Sequence, residues 1–421
     1  MGMLQDMLES RVREQFALQK VATRLIEKRL QEKGVTLTED QLAALESKLQ
    51  NLECDSLTIE IDEGQLPALE WKSQEDVKSF LHVDLSDSQA DTEELLNEFG
   101  RALSQEIPKV ADEVAAIVLK QLKNDAAPML RQHEKERRCF EARLAGKWRP
   151  PLDLLTMFAT LALEAGDAFN RECHASPAQQ NNYLLEVLTR LHARGCQTAS
   201  EVLALLRAGL ADGAHARWRS LHEIAVVGFF IKSAGNEIAE KYLLHDAVES
   251  YKAAKLHQTY CRRLGYEPLS DEEYGELESV YNDLIGRFGA VFAGDYGWSV
   301  PAIDSKRPTF RDIECAAGLS HLRPFYNMAC HTVHAGAKGM FFRLGLYPGS
   351  QDVLLAGPSN TGLADPGQGT AISLGQITVA LLCSKPNMDN LVTCSVLMNL
   401  CREIGDQFLA VQQSLESEAA T

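Results

Sequence analysis

Residues 323–339, RPFYNMACHTVHAGAKG, place an arginine, a tyrosine, an asparagine, a cysteine and two histidines within twelve positions. Imidazole titrates near neutral pH and serves as general acid or base, and a guanidinium holds a phosphate through its forked donors. Ser320 can cap a helix here, with Pro324 in its first turn. At about 100° per residue with Tyr326 at zero, Cys330 falls at about 40°, Arg323 at about 60°, His334 at about 80°, Asn327 at about 100° and His331 at about 140°. These groups share one polar arc with Tyr326 at its edge, and Phe325, Met328 and Val333 are expected to anchor the opposite side in the core.

A second helix carries RWRSLHEIAVVGFF, where Arg219 and Glu223 are four apart and stack on one face with His222 beside them. The run from Ile224 to Ile231 is apolar nearly all round, which implies deep burial. The pair either orients an imidazole from the later helix or is a buried cross-brace. A polar pocket is expected between the two helices. A metal held by His331, His334 and Glu223 or His222 is a further option, but there is no H-E-x-x-H and no C-x-x-C pair, so neither metal nor cofactor is implied. Cys330, beside apolar neighbours, reads as a supporting residue rather than a nucleophile.

The elements that must position these groups are helical throughout. Residues 3–33 read as one amphipathic helix stopped by Gly34, and Thr38 opens a second with a T-x-x-Q capping box ending in Gln41. These two could form a hairpin on their own domain, a homodimer contact, or a site for a partner protein. LTIEID, 57–62, alternates like a short strand or an extended linker. Helices are expected at 92–107 and 109–144, and the glycine and two prolines of AGKWRPPLD, 145–153, mark a boundary. Further helices are expected near 151–172, 178–193, 198–210, 212–233, 236–263, 271–291, 309–318, 322–338, 370–384 and 388–415. GLADPGQG, 362–369, has the outer spacing of a phosphate-binding loop but lacks the Lys-Ser/Thr ending, and reads as a mobile loop within a Gly/Pro-rich stretch, 344–370. The expected fold class is all-α: a helical N-terminal region, 1–145, with an acidic segment at 37–99, then a helical bundle over 150–421.

The 421 residues, 45% hydrophobic and 24% charged, can bury a real core. The net charge of −17 is uneven: residues 37–99 hold 17 acidic side chains against Lys48, Lys72 and Lys78. That segment alone contributes −14, so the acidity does not exclude nucleic acid elsewhere. Arg131, Lys135, Arg137, Arg138, Arg143, Lys147 and Arg149 form a basic stretch that either follows a nucleic-acid backbone or is a solvated helix face. The start of the chain has neither the basic-then-apolar pattern of a secretory signal nor the myristoylation pattern, and no apolar run reaches membrane length. A cytoplasmic protein with reduced thiols and no membrane partner is expected.

Arg219 and Glu223, the helix AEKYLLHDAVESYKAAK, the tripeptide Tyr296–Trp298 and Y-x-x-x-C-x-x-x-H (Tyr326, Cys330, His334) come in an order that resembles the bacterial family called domain of unknown function 5677, over about residues 150–345. Its cysteine slot more often holds serine. The resemblance implies an all-helical domain and no established reaction. More distantly, YNMACH resembles the HEPN superfamily of helical ribonucleases and toxins. That likeness implies an arginine and a histidine that help a ribose 2′-hydroxyl attack the neighbouring phosphate without metal, commonly at a dimer interface. Asn327 and His331 match its pattern, Tyr326 stands in the arginine slot, and Arg323 lies one position too far back. The expected function is therefore a HEPN-like, metal-independent, RNA-directed effector, an endoribonuclease or toxin with a stress or defence role. Its catalytic candidates are His331, His334, Arg323, Asn327 and Tyr326, supported by Arg219, Glu223, His222 and Cys330. The alternative is a non-catalytic helical interaction or regulatory protein.

Overall fold

The computed structural model describes residues 18–50, 61–62, 65–66, 78, 89–174, 181–334, 336–347, 349–350 and 353–420. The chain is all-α, with no strand among the described residues. It divides into two compact units, Met1–Glu134 and Lys135–Thr421.

In the first unit, α1 (Leu18–Glu32) and α2 (Glu39–Gln50) pair as a hairpin. Gly34 turns the chain with φ 80°, and the capping box forms: Gln41 Oε1 accepts from the Thr38 amide at 2.8 Å while Thr38 Oγ1 accepts from the Gln41 amide at 3.3 Å. Leu30, Val35, Leu37 and Leu45 make a small core with Ile61 and Leu66 against it. Residues 3–17 of the expected first helix and 57–60 of the expected strand lie outside the described residues, as does most of the acidic segment; Ile61 and Asp62 are not in a strand.

α3 (Gln89–His174) is a single helix that runs through Glu134 and Lys135 into the second unit. The boundary expected at 145–153 does not break it. Leu144, Trp148, Leu152 and Leu155 are all buried along one face, and Trp148 Nε1 donates to the carbonyl of Asn360 at 2.8 Å. That packing holds the helix on although Pro150 and Pro151 can donate nothing to the turn before them.

α4 (Tyr183–Arg207) replaces two expected helices. Gly195 lies within it, where a Cβ would stand 3.1 Å from Ile377 Cγ2. α5 (Ala211–Ala234) is the central helix; α4, α6 (Asn236–Leu264) and α11 (Ala364–Leu382) pack around it. α6 ends at Gly265 in the left-handed region, and α7 (Asp271–Phe288) begins with a complete Ser270–Glu273 capping box. Short 3₁₀ turns at Ala290–Ala293 and Gly297–Ala302 lead to α8 (Phe310–Ala316), capped by Thr309 and Asp312. α9 (Arg323–Val333) and α10 (Ala337–Phe341) follow, and α12 (Met388–Ala420) closes the chain against α11.

GLADPGQG is no loop. From Ala364 on it forms the first turns of α11, where Gly367 and Gly369 permit close contact: a Cβ on Gly367 would stand 2.5 Å from Phe408, and one on Gly369 2.7 Å from Trp218 Nε1. None of the described helices is long and apolar enough to cross a membrane.

Candidate functional site

α5 presents Arg219, His222 and Glu223 toward α8 and α9, both of which pack on it, while Trp218 Nε1 donates to Ser373 of α11 at 3.1 Å. Tyr326 of α9 is buried and its Oη donates to Glu223 Oε1 at 2.6 Å. The same oxygen lies 3.2 Å from Arg219 Nη2. Behind this pair, His222 Nε2 donates to Glu314 Oε1 of α8 at 2.9 Å, with both side chains fully buried. Arg323 Nε stands 2.8 Å from Glu314 Oε2, an ion pair in which no N–H is aimed for a hydrogen bond. Two carboxylates are thus each matched to one arginine and one neutral donor, the condition under which buried charge is tolerated.

Rings fill the space between the charges. His215, Trp218 and His222 stack in sequence at 5.2 and 5.5 Å, and Phe310 stacks on Tyr326 at 5.0 Å. The guanidinium carbons of Arg219 and Arg323 lie 5.1 and 5.3 Å from the centre of the Tyr326 ring. Such contacts favour the cationic form. Arg219 and Arg323 are each 23% exposed and Glu223 36% exposed, so the outer half of the cluster reaches solvent. Arg219 Nε has no hydrogen-bond partner, and neither Nη of Arg323 is hydrogen-bonded to a described residue.

Burial holds the His222 pKa below its usual value, against the opposing pull of Glu314. With Nε2 donating to Glu314, neutral His222 keeps a bare, buried Nδ1. Burial raises Tyr326, and the bond to Glu223 raises it further, so the phenol stays protonated at physiological pH. Burial likewise raises the Cys330 thiol, which the two arginines only partly offset. For Arg219, the loss of solvation is outweighed by Tyr326 and Glu223, which strengthen its hold on the proton.

Of the residues expected from sequence, Arg219, His222, Glu223, Arg323, Tyr326 and Cys330 meet here. Asn327 is exposed. His331 is half-buried with no side-chain hydrogen bond to a described residue, and His334 is exposed with extended backbone, ψ 139°. The expected helix to 338 stops at Val333 because Gly336 and Gly339 fold the chain back onto it; a Cβ on Gly339 would lie 2.2 Å from the His331 carbonyl oxygen. The polar arc is also turned by part of a revolution from the expected one. Tyr326, Arg323 and Cys330 face inward, while Phe325 at 41% and Val333 at 47% exposure do not anchor the core. The grouping of His331 and His334 with Glu223 or His222 is not formed, and no described cluster of three His, Cys, Asp or Glu could hold a metal ion.

Sequence reasoning missed Glu314, Phe310 and Trp218. Glu314 lies four residues after Phe310 and next to Ile313, on the buried face of a short helix. The tripeptide Tyr296–Trp298 and the AEKYLLHD helix act as scaffold. Trp298 packs edge-on against Tyr242, and His245 Nε2 donates to the Gly294 carbonyl at 2.9 Å, which pins the loop that brings Tyr296 into the field of Glu223 and Arg219.

Among the basic residues, Arg131 belongs to the first unit; Arg137, Arg138, Arg143, Lys147 and Arg149 belong to the second and are exposed. Arg137 pairs with Glu141, and Lys147 with Glu418 at 2.7 Å. Arg138 and Arg149, eleven residues apart, share a face turned away from buried Leu144 and Trp148.

No curated protein and no solved structure matches the chain. The segment from α4 to just past α10, residues 185–349, holds every residue of the Arg219–Tyr326 cluster, and it matches a family of unknown function, DUF5677.

Proposed function

We propose that this chain is an RNA-directed, HEPN-like effector whose working centre is the cluster around Tyr326, a metal-independent endoribonuclease. One observation carries the reading: two part-exposed arginines, Arg323 with neither Nη hydrogen-bonded to a described residue, stand over one tyrosine beside a carboxylate open to solvent. Paired guanidinium groups suit a phosphodiester, whose charge grows over its non-bridging oxygens as a nucleophile adds. Glu223 Oε1 takes both Tyr326 and Arg219, which leaves Oε2 as the base that accepts the 2′-hydroxyl proton. The 2′-oxygen then bonds to phosphorus, the P–O5′ bond breaks, and the leaving oxygen takes its proton from solvent. This assigns acid–base work to a carboxylate rather than to His331 and His334.

The test is an oligoribonucleotide incubated with the full chain in chelator, beside the same sequence carrying 2′-O-methyl groups. The expected products end in 2′,3′-cyclic phosphate and arise only from the unmodified strand. No cleavage, or equal cleavage of both strands, overturns the reading. A second reading, a non-catalytic interaction protein with this cluster as its brace, is favoured by the complete burial of the His222–Glu314 pair. It predicts an intact RNA and partner binding that survives Glu223→Gln.

A further inference from the structure

On the side of the bundle formed by α5, α11 and α12 lies a cleft of about 370 Å³ unrelated to the Tyr326 cluster. Its walls are Phe229, Ile372, Val379 and Met398. Two polar groups interrupt them. Gln376 carries a buried Oε1 with no hydrogen-bond partner, an acceptor whose desolvation nothing in the protein offsets. Arg402, exposed, lines the same cleft; its Nη1 donates to Asn399 Oδ1 at 3.1 Å, and it forms no ion pair with a described carboxylate.

We propose that this cleft binds a small amphipathic carboxylate with an aliphatic body and a hydroxyl or amide donor, such as a medium-chain hydroxy acid. The size and the apolar lining are those of ligand sites that bury most of a small molecule. The body covers Met398, which is 51% exposed. The donor satisfies Gln376 Oε1, and the carboxylate takes the open side of the Arg402 fork. Each feature removes a different alternative. A plain hydrocarbon leaves the acceptor unpaired, and a cationic amphiphile meets Arg402. A ligand without a donor forfeits the one polar contact the buried end offers.

The test uses the full-length protein titrated calorimetrically with ω-hydroxydecanoate, decanoate and decan-1-ol below their micelle concentrations. The hydroxy acid is expected to bind tightest. Arg402→Ala, at an exposed position, weakens both carboxylates by about tenfold and leaves the alcohol unchanged. Gln376→Leu erases the advantage of the hydroxy acid over decanoate and raises the melting temperature of the unliganded protein, because the orphan acceptor is gone. The absence of binding, or equal affinities in the wild type and both folded variants, overturns the proposal. So does a dimer in sedimentation that Met398→Glu converts to monomer, since a second copy would then own the cleft.

Discussion

At the scale of single residues, Tyr326 is the hinge of the cluster. Its hydroxyl reaches Glu223, its ring meets Phe310, and two guanidinium groups lie over it. Tyr326→Phe removes one charge-assisted hydrogen bond and keeps the ring, so chemical unfolding should show a loss of about 2 kcal/mol. Glu314→Ala leaves the buried His222 without its acceptor and Arg323 without its carboxylate, and its cost should be larger, about 3–5 kcal/mol. Equal losses for the two variants would mean that the His222–Glu314 pair contributes no more than the Tyr326–Glu223 hydrogen bond. The sequence announced Arg219, Glu223 and Tyr326 through spacing alone. It did not announce Glu314, because a lone carboxylate in a seven-residue helix looks like surface until its partners from two other helices are known.

At the scale of elements, helix periodicity foretold most of the bundle, and most of the failures share one cause. Proline and glycine were read as breaks where tertiary packing overrides local preference. Pro150 and Pro151 lie inside α3 because Leu144, Trp148, Leu152 and Leu155 bury the same face on both sides of them. Gly367 and Gly369 lie in the first turns of α11, where Phe408 and Trp218 approach its backbone. The converse error occurred at His334, where Gly336 and Gly339 ended a helix that the polar spacing seemed to extend. A glycine pair separates the two roles. Gly275→Ala in α7, where an added Cβ meets nothing within 4 Å, should stabilise by about 0.5–1 kcal/mol. Gly369→Ala forces α11 away from Trp218 and should lower the melting temperature by several degrees. Calorimetric scans of both variants check the contrast; a stabilised Gly369→Ala would remove the close-packing explanation.

At the scale of the whole molecule, the second unit keeps several histidines neutral inside its core. Burial lowers His192 and His215 to about 4, and lowers His222 as well. Their folded values lie below the unfolded value of about 6.5, so the unfolded chain binds more protons between these limits. Stability from this source is complete above about pH 6.5 and is lost as pH falls toward 4. At about 1.4 kcal/mol per pH unit, His192 and His215 each account for roughly 3 kcal/mol at the acid end. Melting temperature should therefore fall steadily from pH 7 to pH 4.5, and His215→Phe should flatten the slope. A slope unchanged in that variant would place the acid sensitivity elsewhere.

The proposed work of the molecule rests on Glu223 acting between two arginines. The most direct measurement is the rate of RNA cleavage in chelator by the wild type, Glu223→Gln, His331→Ala and His334→Ala, each shown to be folded. The glutamine variant should lose about a hundredfold or more, while the two histidine variants retain the wild-type rate. Full activity in Glu223→Gln, with loss in either histidine variant, would contradict the assignment.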